Sequence, residues 1–474
     1  MKNLKKILFF FAVFFLVACQ NKKQQKPNVI YILADDLGYG DLGCYGQKII
    51  KTPNIDRLAS EGMRFTQHYA GCTVSAPSRC SLLTGLHTGH SYIRGNKEIL
   101  PEGQEPLPKD TYTLPLMMKE AGYTTACFGK WGLGFPSSSG EPNKQGFDEF
   151  WGYNCQRFSH RYYPYYVWHN NEKIILEGNE DGVAEPRVYA QDLIQKQTLQ
   201  FIREHKNEPF FMYVSTLLPH AELVSPKDSI YAMYESLLPE SFVYHGVDSG
   251  SNYRMGNYGT SLKPHADFAS MVTRLDAYVG QIIDELRKNG LDKNTIVIFA
   301  SDNGPHQEGG ADPDFFNSYG PFRGYKRDVY EGGIRVPMIA WMPEKIAAGE
   351  TSNLVSAFWD IMPTIADLIG CEVPKTDGIS LLPTLFGCGK QQQHDYLYWE
   401  FHELGGRQAL RCGDWKIIRQ PINDSTQTKI ELYNLKDDLH EDINLLEQYP
   451  NKARELEAML DAARTESSLF NFGK

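Results

Sequence analysis

The chain has 474 residues, with 48 basic against 58 acidic side chains and a net charge of −10. There is no basic tail, so the balance argues against a nucleic-acid partner, and a polyanionic ligand would need a local basic pocket in an acidic surface. The nine cysteines are scattered without paired metal spacing, which argues against a zinc ribbon.

Residues 1–18 place Lys2, Lys5 and Lys6 ahead of an apolar run, the layout of a secretory leader too short for a comfortable membrane span. Leu16-Val17-Ala18-Cys19 has the form of a bacterial lipobox. It would make Cys19 the lipidated first residue of an exported protein, anchored to a membrane in the periplasm or outer membrane of a Gram-negative cell. Loss of the three lysines moves the net charge to −13. Residues 20–26 are too polar to fold and read as a tether. The expected division is leader 1–18, tether 19–26, a large catalytic domain 27–383 and a C-terminal subdomain 384–474. Export permits disulfides, and Cys371 with Cys388 is one pairing the sequence allows.

Residues 28–33 form a continuous apolar run, the texture of a buried parallel strand, and lead into Asp35-Asp36. Adjacent carboxylates at a strand end repel, which either a hard divalent cation or a solvated turn would relieve. Thr52-Pro53 opens a short helix ending near Gly62, with Thr52 as its cap. Ser75-Ala76-Pro77-Ser78-Arg79 puts a proline in the first turn of a further helix. Ser75, just ahead of it, is either a plain N-cap or part of an anion site at the helix's positive end. Residues 124–129 read as another strand, running into Lys130-Trp131-Gly132. The stretch 134–180 is long, irregular and rich in Tyr, Asn, Arg and His, the kind of loop that carries specificity.

A helix is expected over 185–205, a strand over 209–215 leading to Leu218-Pro219-His220, and a long helix over 265–290. The strand 295–300 then runs into Ser301-Asp302-Asn303-Gly304. Strand and helix alternate, so the fold class is α/β, a doubly wound sheet. Its site lies beyond the carboxyl ends of the strands, where Asp35, Asp36, Lys130, His220, Asp302 and Asn303 all fall. Past Pro383 the texture changes. Short strands at 396–400, 409–412, 415–419 and 430–433, followed by a helix over 451–467, indicate a small antiparallel sheet with one helix.

Ser75-x-Pro77-x-Arg79, followed by Leu83-Thr84-Gly85, resembles the signature of the type I sulfatases, in its serine-type branch. Similar blocks run in family order from Asn28 to about Phe470, among them Phe322-Arg323-Gly324-Tyr325-Lys326 and Glu331-Gly332-Gly333-Ile334-Arg335-Val336-Pro337. The resemblance implies the alkaline-phosphatase-like architecture, a large mixed sheet sandwiched by helices with a smaller C-terminal α+β subdomain. It implies that Ser75 is oxidised to formylglycine (3-oxoalanine) by a radical-SAM maturase. Hydrated, that aldehyde offers one hydroxyl to attack sulfur and a second whose collapse releases sulfate.

The same resemblance implies one Ca²⁺ held by Asp35, Asp36, residue 75, Asp302 and Asn303, an all-oxygen set suited to Ca²⁺ or Mg²⁺ and poor for Zn²⁺. Arg79 would orient the diol and balance the carboxylates, Lys130 and Lys326 would neutralise the sulfate oxygens, and His220 would protonate the leaving alcohol. There is one departure. The family carries His two residues after the first catalytic Lys, where this chain has Gly132. Asp302, or one of His87, His90 and His160, would have to serve as the base of the second half-reaction.

The expected substrate is a sulfated carbohydrate of a host or algal glycan, a galactose or N-acetylgalactosamine with sulfate at O4. Arg94, Asn96, Asn154, Arg157 and His160 are its expected pocket. Two alternatives compete. A zinc-dependent phosphoryl hydrolase on the same fold would need a His and Asp ligand set that does not stand beside Asp35 or Asp302. A glycan-binding lipoprotein without catalysis is favoured by Gly132 and opposed by the remaining site positions.

Overall fold

The strand Asn28–Ala34 is buried along its whole length, and its alternating side chains feed two separate cores. The computed structural model describes residues 26–179 and 187–472; the leader, Cys19 and the tether up to residue 25 lie outside the described residues. Ile30 and Ile32 join Val297, Phe299, Met212 and Phe128 beneath the helices Pro53–Glu61, Ala190–Glu204 and Pro264–Lys288. Val29, Tyr31 and Leu33 join Ile296, Ile298, Phe211 and Cys127 beneath Ser75–Thr84, Leu114–Glu120 and Ile361–Ile369. Near-continuous apolar strands are what a sheet covered on both faces requires.

Eleven strands make this sheet among the described residues. At its centre, Thr295–Ser301, Asn28–Ala34, Phe210–Ser215, Thr124–Lys130 and Glu149–Tyr153 run parallel in that spatial order. Arg335–Trp341 and then Met63–Tyr69 extend one side, each antiparallel to the strand before it, and the short strands Glu350–Ser352 and Ser356–Ala357 pair parallel with Met63–Tyr69. The hairpin Tyr166–His169 and Glu172–Ile175 extends the other. The sheet is therefore mixed. The stretch 134–180, expected to be irregular, supplies three of its strands, because Phe150, Val167 and Trp168 are buried apolar residues scattered among polar loop residues that mask their period.

The short strands Leu397–Phe401, Arg407–Cys412, Trp415–Gln420 and Lys429–Asn434 form an antiparallel sheet in sequence order. One face carries Tyr398, Leu410, Ile417 and Leu432 against Leu456 and Leu460 of the helix Pro450–Ala462. The other presents Leu397, Trp399, Ala409 and Ile418 to Tyr69, Val329 and Trp359 of the large sheet's own layer. That helix is shorter than expected, ending at Ala462 instead of 467. Thr52 does not cap the helix at Pro53; its hydroxyl accepts from Gly43 N and donates to Asp56, and Asp276 accepts from Asn54 N and Ile55 N instead. The eight described cysteines are free, so Cys371 and Cys388 are not paired.

Candidate active site

Register brings the site together. Ala34 pairs with Ser301, Leu33 with Ser215, and Ser215 with Gly129, so four parallel strands end side by side. At or just beyond those ends stand Asp35-Asp36, Asp302-Asn303, the segment to His220, and Lys130. Beside them the helix Ser75–Thr84 begins, with Ser75 as its first residue and buried throughout.

Ser75 Oγ donates to Asp35 Oδ1 at 3.1 Å and accepts from Lys130 Nζ at 3.3 Å, while the same ammonium lies 2.7 Å from Asp35 Oδ2. Arg79, one turn further along the helix, reaches Asp302 Oδ2 at 2.8 Å and Asp35 Oδ1 at 3.6 Å, and its other nitrogen contacts the Ser215 hydroxyl. Asp36 adopts φ 63°, a left-handed backbone that costs a non-glycine residue on the order of 1 kcal/mol and is found where function fixes a side chain. Its amide donates to Asp302 Oδ1 at 3.0 Å, and its own Oδ1 accepts from Asn303 Nδ2 at 2.7 Å.

A second group surrounds Lys326. Its ammonium lies 2.8 Å from Asp36 Oδ2, 3.0 Å from Glu308 Oε2 and 3.1 Å from His220 Nε2. His220 Nδ1 faces the Ala221 carbonyl, which only an N–H can serve, so Nε2 is the acceptor of the Lys326 proton. The imidazole is thus neutral, and burial together with the Lys326 charge pushes its pKa down to about 3. The proton expected on His220 resides on its lysine neighbour.

Burial raises the carboxyl of Asp36, yet the neighbouring Lys326 charge outweighs it and holds the group well below the usual range. Asp302 moves the other way, raised by burial and by the Asp35 charge. The two lysines also diverge. Burial lowers Lys130 despite Asp35, whereas Asp36 and Glu308 overcome burial and raise Lys326.

Whether this pocket suits a divalent cation is tested by its donors. Asn303 Oδ1 is buried without a hydrogen-bond partner while its Nδ2 serves Asp36, an acceptor left over beside acidic oxygens. Ligand atoms of Asp35, Asp36 and His220 lie within 4.8 Å of one another. Crowded carboxylate and amide oxygens fit a hard cation.

The site opens into a cleft of about 660 Å³ whose lining includes Ser75, Lys326, His220, Asn96, Arg157 and His160. Asn96 Oδ1 accepts from Ala76 N at 3.0 Å, Arg157 pairs with Glu98, and the His160 ring stacks on His220 with centroids 5.1 Å apart. Arg94 is elsewhere: it is buried and turned to the C-terminal sheet, 3.0 Å from Glu400, an interaction that a sequence scan for polar loop residues does not weigh. Asn154 is buried, its backbone carbonyl accepts from Gly132 N, and it is not among the residues lining the cleft. His87 and His90, also named as candidate bases, are not among the residues lining the cleft; they stack on each other beside Asp377. The sequence does not single out Glu308, although it stands only seven positions past the strand end at Ser301; Arg327 and Glu403 join it on the cleft wall.

The sulfatase family model matches residues 27–371, and a model described as N-sulphoglucosamine sulphohydrolase, C-terminal, matches 320–466. The chain is 33% identical over 384 residues to the N-acetylgalactosamine-6-sulfatase of Rattus norvegicus, an alignment covering 76% of this chain and 66% of that protein. It is 30% identical to the N-acetylgalactosamine-6-O-sulfatase of Bacteroides thetaiotaomicron, covering 98% of this chain and 100% of that one. Among solved structures it resembles Ps i-CgsB in complex with k-i-k-neocarrahexaose, at a TM-score of 0.76, 27% identity and 94% coverage of both chains.

Proposed function

The chain belongs to the sulfatase family, and from that premise we propose that it is a formylglycine- and calcium-dependent hydrolase of a galacto-configured sugar sulfate. Sulfatase activity is what the names of its relatives share, and several of them name N-acetylgalactosamine 6-sulfate as the group attacked. The observation that carries the finer reading is the position of Ser75: buried, first in its helix, and held between Asp35 and Lys130 at the head of the cleft.

Once oxidised by a radical-SAM maturase, residue 75 would supply the nucleophile that plain serine lacks. A calcium ion held by Asp35, Asp36, Asp302, Asn303 and residue 75 would offset the carboxylates and polarise the sulfate. The chain's own groups do the rest. Lys130 and Lys326 neutralise the sulfate oxygens, and Arg79 fixes Asp302 and Asp35. The proton shared between Lys326 Nζ and His220 Nε2 is the one available to a departing alcohol. With Gly132 bringing no side chain, Asp302, linked to residue 75 through Arg79 and Asp35, would be left to act as the base of the second half-reaction.

The names of the relatives support sulfate at O6 over the O4 position expected from sequence. Attachment to a membrane through Cys19 completes the proposal and would set the enzyme beside imported glycans. The test is sulfate release from a panel of galactose and N-acetylgalactosamine 4- and 6-sulfates. Turnover of the 6-sulfates is expected, and a protein that releases sulfate from none of them is not the enzyme described. Binding without turnover would restore the glycan-binding alternative.

A further inference from the structure

Gly132 lies two residues beyond Lys130 at φ 80°. The place that a Cβ would take there is filled by Gln156, whose Nε2 lies 1.9 Å from that position. A side chain at 132 and the present placement of Gln156 therefore exclude each other. Gln156 is 8% exposed, it lines the cleft, and its Nε2 is buried without a hydrogen-bond partner. A buried donor left unpaired is costly, and an accepting oxygen on a bound molecule removes the cost.

Its neighbours extend the pattern. Gln104, 2% exposed, accepts from Gln156 N through Oε1 at 3.2 Å, and Asn96 accepts from Ala76 N through Oδ1. With those oxygens engaged, what each carboxamide retains for the cleft is its NH₂ group. The charged groups that suit a sulfate, Lys130, Lys326 and Arg79, cluster at Asp35 and Asp36 instead. A wall of neutral donors suits uncharged oxygens, those of a sugar's hydroxyl or acetamido groups.

Resting on the reading of this cleft as that of a carbohydrate sulfatase, we propose that Gln156 is a substrate-contacting specificity residue. It is given its place by the missing side chain at position 132 and backed by Gln104, and its amide donates a hydrogen bond to an oxygen of the sugar.

The full chain carrying formylglycine is assayed on the sulfated galactose and N-acetylgalactosamine panel, with inorganic sulfate and the desulfated sugar as product inhibitors. Gln156→Ala, Gln156→Leu and Gly132→Ala are compared with the wild type, and melting curves confirm folding. The variants should lose about 10- to 100-fold in kcat/KM, carried by KM, with the inhibition constant of the desulfated sugar weakened in proportion. Inhibition by inorganic sulfate should stay within about twofold, because the lost contact is to the sugar. Leucine keeps the volume, so a Gln156→Leu enzyme with wild-type KM overturns the proposal, as does equal weakening of sulfate and sugar inhibition. A wild type that releases sulfate from no sulfated sugar overturns the underlying reading and this proposal together; an active wild type matched by all three variants overturns the proposal alone.

Discussion

Ser75 donates a 3.1 Å hydrogen bond to Asp35, forty positions earlier in the chain. The contact joins the amino end of a helix to the carboxyl end of the central strand, and every proposed role in the chemistry is measured from it. Ser75→Ala should leave the melting temperature within a few degrees of wild type and reduce sulfate release on the order of 10⁴-fold or more, as loss of a nucleophile does. Intact-mass measurement should show the active protein about two mass units lighter than the same protein with Ser75 unmodified, the hydrogens lost in forming the aldehyde. Full activity in the variant, or activity in protein of unmodified mass, would contradict the assignment.

Chelation should matter for stability as well as for rate. A cation bound at about 100 times its dissociation constant adds about 2.7 kcal/mol to the folded state. Treatment with EGTA should therefore lower the melting temperature and abolish turnover, with Ca²⁺ restoring both. Asp36→Asn should weaken the calcium-dependent gain in melting temperature. A melting temperature indifferent to chelator and calcium would remove the ion from the site.

Lys416 stands 2.9 Å from both Glu331 and Glu441, with all three side chains fully buried. It lies on the C-terminal sheet, Glu331 at the base of the strand Arg335–Trp341, so the contact holds the two sheets together. Lys416→Met would leave two carboxylates facing one another without water, and breaking a buried pair in this way costs about 3–5 kcal/mol. Denaturant unfolding measures it; a loss below about 1 kcal/mol would show that the pair is easily replaced.

The imidazole of His394 lies 2.8 Å from Asp360 Oδ1. Burial lowers its pKa, but the Asp360 charge overcomes that and raises the group above its ordinary value. Folding then favours the protonated ring, so the contribution is complete below about pH 6.5, the unfolded value, and fades as pH climbs through the raised native one. Melting temperature should fall across that interval in the wild type. His394→Gln should be less stable in acid and should lose this part of the slope; parallel curves for the two proteins would refute the linkage.

Much of the chemistry is legible in the sequence because it sits where strands end. Apolar runs are plain to the eye, and the groups at their far ends, Asp35, Lys130 and Asp302, are positioned by the sheet itself. The substrate wall is less legible. Arg94 and Gln156 are both polar residues in loops; only three-dimensional packing shows that one is consumed by Glu400 while the other lines the cleft with its amide unpaired. In the sequence Gly132 is a missing group. In the fold it is an occupied space, and nothing about a glycine in a string of letters announces which neighbour fills it. The hairpin at 166–175 is hidden for a similar reason, since its pairing partner supplies the burial that its own alternation conceals.

Arg94 grips Glu400 two residues before Asn96, Arg464 holds the same carboxylate at 2.8 Å, and Glu403 reaches the cleft directly. The final fifth of the polypeptide thus acts as a vice on the stretch proposed to meet the sugar, while the site's charged groups hang from the rim of the central sheet. Chemistry and taste have separate addresses. A change in the C-terminal sheet could therefore shift Asn96 and the cleft wall while the strand ends that carry Asp35, Lys130 and Asp302 stay where they are.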